Sequence, residues 1–180
     1  KFAIKTLSAT LLAGAALAVV PANAQVAGIA TLDTTDAIMQ TKAFAQAYQQ
    51  IGTTFTSNSQ MIQAKRKEVN DINAQLDTNK DKNLTQDELD AAIKAKNPLL
   101  TQLEAKEREI AQLQQPIVTA QAFAVESIAD RYAAAQQQVI TQKKINMILS
   151  PDAFIWAPEA VDVTKAVTAA LDAAVPTVGI

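Results

Sequence analysis

Apolar positions along this chain follow two patterns: a long helical one in the middle and short extended ones at the ends. From Asp36 to about Leu76, Phe44, Tyr48, Ile51, Phe55, Asn58, Ile62, Lys65, Val69, Ile72 and Leu76 follow one another in alternating steps of 4 and 3. Only Asn58 and Lys65 among them are polar. A strand has a period of two and cannot use this spacing, so the stretch is a heptad seam and predicts a long amphipathic, coiled-coil helix. From about Thr85 to Ile145, Leu89, Ile93, Leu100, Leu103, Ile110, Leu113, Ile117 and Ala124 keep a similar spacing. Their apolar side chains give way to Ala and Gln at 133–138. Two rods of similar length, joined by a polar stretch, predict a helical hairpin.

Two places interrupt the rods. GTTFTSNS (52–59) contains Gly and β-branched residues, all weaker helix formers than Ala. Pro116 lacks an N–H and clashes with the preceding turn, which kinks a helix. A fold-back near residue 84 sets Gly52 beside Pro116, and the two read either as a shared bend or as an unrelated kink or a break between two separate helices. Pro98 after Asn97 either ends a short tip helix or kinks the start of the returning one.

The ends read differently. VAGIATLD (26–33) is a strand that leads through Thr34, Thr35 and Asp36 into a helix cap. KINMILSPDAFIWAP (144–158) reads as strand, turn at Ser150-Pro151-Asp152, strand. Asp162-Val163-Thr164 opens a last helix with Val163, Val167 and Leu171 on one face, and the tail VPTVGI is expected to fray. The expected fold is α+β, mostly α. A helical-hairpin arm (36–144, tip near 77–98) projects from a small β-rich body built from both chain ends (25–35 and 145–180).

Composition narrows the function. The 36 Ala and 18 Gln favour long helices. With no Cys and no His, the chain lacks thiolate sites, the usual general base and the usual zinc ligand, so an enzyme is not expected. A carboxylate-dependent hydrolase is the catalytic alternative. Residues 1–24 carry Lys1 and Lys5, an apolar run and Ala22-Asn23-Ala24, the pattern of a secretory signal peptide. The chain beyond it has 14 basic and 18 acidic residues, a balance without a footprint for nucleic acid. No Gly lies between Gly52 and Gly179, so there is no phosphate loop and no expected use of ATP.

The order of elements, VAGIATLD with the following TTDAIMQTKAF, and the closing ILSPDAFIWAPEAVDVTKAVTAALD together resemble the Skp/OmpH family of periplasmic chaperones. The resemblance covers the chain beyond the leader. It implies a periplasmic homotrimer whose strands form a β-barrel body, with three hairpin tentacles around a cavity that holds unfolded outer-membrane proteins without ATP. Three strands per chain cannot make a stable sheet with a covered core and closed edges, which also makes association expected on physical grounds. The family's best-known member is strongly basic. The mild acidity of this chain weighs against contact with membrane or lipopolysaccharide.

DTNKDKNLTQDEL (77–89) raises a second possibility. Its spacing matches an EF-hand loop, with Asp77, Asn79, Asp81, Asn83 through its carbonyl, Thr85 and Glu88 as calcium ligands. Lys82 stands where the EF-hand has Gly. The same residues also suit a metal-free tip, with Thr85 and Glu88 as a capping box. The alternative function is therefore a calcium-responsive structural or adhesive coiled-coil protein of the envelope. Trp156 reads as a core or interface anchor. Glu104, Glu107 and Glu109, alternating with Lys106 and Arg108, read as a solvated helix face with i,i+4 pairs.

Overall fold

The computed structural model of the chain describes residues 28–180. The expected leader lies outside them, as do Val26 and Ala27 of the first expected strand. In order come β1 (Ile29–Thr31), α1 (Thr34–Met39), α2 (Lys42–Thr54), α3 (Thr56–Leu76), α4 (Gln86–Lys94), α5 (Pro98–Ala129), α6 (Tyr132–Lys143), β2 (Met147–Leu149) and α7 (Thr164–Ala174). Short 3-10 turns occupy Pro151–Ala153 and Glu159–Val161. The described residues are mostly helical, with one two-stranded sheet and one long, bent helical hairpin.

β1 and β2 pair in parallel, with Ile29 opposite Met147 and Thr31 opposite Leu149, so the sheet draws on both ends of the chain. Gly28 starts it. Its carbonyl accepts both Asn146 N–H at 2.7 Å and Met147 N–H at 2.8 Å. Its φ is +81°, and a Cβ there would collide with the Asn146 side-chain amide. The third strand expected after Ser150 does not form. The edge of β1 away from β2 is already taken, because Val163 N–H donates to the Thr31 carbonyl at 2.9 Å. Residues 154–158 therefore have no strand partner among the described residues.

All ten positions of the first seam are buried or half-buried, as the period requires. Of the second seam, Ile93 is exposed instead. The rods are not continuous, however: the breaks at Thr41 and Asn97 carry side-chain caps, while those at Phe55 and Arg131 carry none. Thr41 Oγ1 accepts Phe44 N–H at 3.1 Å and starts α2. Asn97 caps α5 by accepting Leu99 N–H at 3.0 Å, with Pro98 at the first helical position, where its missing N–H costs nothing. Lys96, at φ 51°, closes α4. Its N–H reaches the Ile93 carbonyl while Asn97 N–H reaches the Ala92 carbonyl, a Schellman ending. The first cap of the chain is Asp33, which accepts Asp36 N–H at 2.9 Å.

The body is built mainly of helix, not strand. One core joins β1, α1, the base of α2, the end of α5, α6 and α7, around Leu32, Ile38, Ile51, Ile128, Val139, Val167 and Leu171. Ala37, Ala43, Ala47, Ala124 and Ala135 are buried there and let the helices approach closely. Val163, Val167 and Leu171 share the buried face of α7, as expected. Polar ties fix α7 in place. Asp33 N–H donates to Thr164 Oγ1, the Thr168 hydroxyl donates to the Ala37 carbonyl, and Asp172 accepts Lys42 N–H at 2.8 Å, adding to the cap on α2. The tail is packed, not frayed: Val178 is buried in this core and the Ile180 carbonyl accepts the Gln50 side-chain amide at 3.2 Å. A second, small core closes the far end of the arm, with Ile72, Leu76 and Ala92 at its centre.

Candidate functional site

The arm bends where α2 gives way to α3, at Phe55. Thr53 and Thr56 turn their hydroxyls back onto carbonyls of the preceding turn, at Gln50 and Gly52, both at 2.8 Å, a contact that bends helices. Gly52 itself does not face Pro116, since a Cβ on it would meet open space. Across the hairpin the Asn58 side-chain amide instead donates to the Leu113 carbonyl at 3.2 Å, three residues before Pro116. Pro116 has no N–H to give the preceding turn. The bend thus combines hydroxyl back-bonding on one helix with a proline on the other. The pairing centres within α4, beyond the residue 84 expected, which is why Asn58 and not Gly52 lies across from the Pro116 turn.

Further out, four charges cross the seam. Lys65 Nζ lies 2.9 Å from Glu109 and 3.4 Å from Glu68, and Lys106 Nζ lies 2.8 Å from Glu68 and 3.7 Å from Glu109. The bond from Glu109 holds the Lys65 ammonium well above its ordinary pKa. Lys106 pulls the Glu68 carboxyl down, and Lys65 does the same to Glu109. Lys106 and Glu109 therefore join the two helices and are not simply a solvated face; Arg108 and Glu104, at 3.9 Å, are the exposed i,i+4 pair. The polar residues Asn58 and Lys65 in an apolar seam were the sequence signal for both crossings.

At the tip, Asp77 and Glu88 are buried while Asn79, Asp81 and Asn83 are exposed. The Asp77 carboxylate accepts the N–H groups of Lys80 at 2.7 Å and Lys82 at 2.8 Å. Asn79 accepts Asp81 N–H, and Asp81 accepts Asn83 N–H. Lys80 and Lys82 lie at φ 61° and 69°. Glu88 Oε1 accepts the N–H and hydroxyl of Thr78 and the N–H of Asn79, and Oε2 accepts the N–H and hydroxyl of Thr85. Thr85 and Glu88 form the expected capping box. The backbone bond from Thr85, joined by those from Asn79 and by the threonine hydroxyls, outweighs burial and lowers the Glu88 pKa to about 2. Among the described residues no three acidic side chains gather as a cation site. A calcium ion bound by Glu88 would have to displace these five donors. A recess of about 340 Å³ lies beside the loop, lined by Asn70, Asn73, Asp77 and Lys82 among others.

The surface carries scattered apolar side chains. Met61, Val118, Phe123 and Val125 are exposed along the arm, Phe123 at 53%. On the body Ile155 is fully exposed and Trp156 is 78% exposed, so Trp156 is not a core residue of the single chain. Among the described residues no helix is long and apolar enough to cross a membrane.

Residues 28–171 match the model of a family described as outer membrane protein (OmpH-like). The fold is similar to the crystal structure of a candidate outer membrane chaperone (OmpH-like) from Caulobacter crescentus CB15. The TM-score is 0.56 at 22% identity, over 87% of this chain and 90% of that one. No curated protein matches the chain.

Proposed function

The chain belongs to the OmpH-like family of outer membrane proteins, and from that premise we propose that it is an ATP-independent periplasmic holdase for unfolded outer-membrane β-barrel proteins. Family membership supports a chaperone kind of function. The observation that carries the finer reading is the arm surface, where, among the described residues, Met61, Val118, Phe123 and Val125 stand exposed without a deep pocket. Many weak apolar contacts suit an unfolded chain of no fixed sequence better than a shaped ligand does.

The working form is a homotrimer. Two strands of three residues each do not make an independently stable sheet. Among the described residues β2 has one neighbour in its own chain, β1, which leaves its outer edge open to a second copy. Residues 154–158, extended at Phe154 and Pro158 and bent at Ile155, with Ile155 and Trp156 exposed, are the segment of a neighbouring copy suited to that edge.

Dilution of a urea-unfolded outer-membrane β-barrel protein into buffer, with and without the chain and without ATP, tests the holdase reading. Turbidity suppressed near one trimer per client is expected; unchanged turbidity overturns it.

A second reading keeps the tip as a calcium loop. The positive φ of Lys82, at the position where an EF-hand has Gly, favours it. The cost is the exchange of the donors on Glu88. Affinity is then expected in the millimolar range of extracellular modules, about 10⁻⁴–10⁻³ M. Titration calorimetry that shows no heat at millimolar calcium rules it out.

A further inference from the structure

Apolar packing locks the arm at both ends, while its middle is held by polar contacts. At the base, Ile51, Phe55, Ile117 and Ala124 belong to the large core. At the tip, Ile72, Leu76 and Ala92 form their own core. Between these ends Ile62 is the buried residue of α3, and α5 has no buried residue before Ala124. The two helices are joined there by the Asn58 amide on the Leu113 carbonyl and by the four charges of Lys65, Glu68, Lys106 and Glu109. Those charged side chains are 26–44% exposed, so water and salt compete for every pair.

We propose that residues 58–68 and 106–113 form a polar joint, at which α3 and α5 part and their helical turns open transiently while the base and the tip stay packed. Local opening follows low buried apolar area and solvent-exposed bonding, and this stretch has both. Parting uncovers Ile62 together with the half-buried Ile110 and Leu113. The middle of the arm thereby gains an apolar strip fitted to an apolar segment of an unfolded chain. Higher ionic strength screens the four charges and favours the open form. The joint is a property of the free protein and stands or falls without the holdase reading.

Hydrogen exchange of the full chain, read by mass spectrometry at about 0.05 M and 0.5 M salt, tests it; between these strengths the screening length shortens severalfold. Amides of 58–68 and 106–113 are expected to exchange at least about tenfold faster than those of 43–54 and 117–128, with tip amides at 70–76 and 99–103 again slow. The gap is expected to widen at high salt. The double variant Asn58→Leu with Lys65→Leu, which restores an apolar seam, is expected to slow the fast exchange and to weaken its salt dependence, the Lys106–Glu68 pair being left in place. Protection equal along the arm, or fast exchange that ignores salt, overturns the proposal on the unaltered protein alone, whatever the variant does.

Discussion

Glu88 holds the tip by standing where five donors from Thr78, Asn79 and Thr85 converge. Its pKa falls from an ordinary 4.5 to about 2, so the folded tip favours the charged form more than the unfolded chain does. The stability this adds is complete above pH about 4.5 and is lost as pH falls through 2. A carboxyl resonance titration by NMR is expected to place Glu88 near 2, and a value above 4 would break the assignment. Glu88→Gln is expected to speed proteolytic nicking at 78–85 at neutral pH and to remove the acid-dependent step. Lys96 tells a second residue-scale story. It sits at φ 51° in the Schellman ending of α4, where an L side chain is strained and Gly is not. Lys96→Gly is expected to raise stability by about 0.5–1 kcal/mol in urea unfolding, and a loss of stability would show that the Lys side chain holds the turn.

At the scale of elements, the seams were legible because they need only the period of one helix. Phe44 to Leu76 pack as the 4 and 3 steps require, and Val163, Val167 and Leu171 share a face as read. The break at Asn97 was legible as one of two readings of Pro98, while the break at Thr41, ahead of the first seam, carried a cap that the helical reading from Asp36 onward passed over. The missing third strand was not legible, because the edge it needs is taken by Val163, more than a hundred residues from Thr31. The packed tail and the crossing of Lys65 to Glu109 depend in the same way on long-range register. The bend lay between: Pro116 marked it, while its partner Asn58 appeared only once the turn was placed within α4. Pro116→Ala is expected to stabilise the arm by about 1–3 kcal/mol and to straighten it, since the lost N–H and the ring clash are both removed. Small-angle scattering that gives unchanged dimensions would sink the bend assignment.

For the whole molecule, the single chain leaves its body incomplete. Among the described residues the two-stranded sheet has one edge filled by Val163 and the other open along Met147–Leu149, and elsewhere on the body, near Thr31 and Asp162, Trp156 stands 78% exposed. Large aromatic residues left in water by one chain are the usual anchors of an interface, and removing one at its centre costs roughly 2–4 kcal/mol of association. Trp156→Ala is thus expected to weaken self-association at least about tenfold. The core around Val167 and Leu171 does not use Trp156, so the fold of each chain should persist, with an unchanged helical circular dichroism spectrum. Sedimentation analysis checks both sides. A trimer for the unaltered chain that gives way to monomer in the variant supports the proposed assembly, and an unaltered chain that sediments as a monomer removes it. On the proposed assembly, with its client cavity between the arms, the monomeric variant is expected also to lose turbidity suppression while keeping its arm surface, which separates the work of the assembly from that of Met61, Val118 and Phe123.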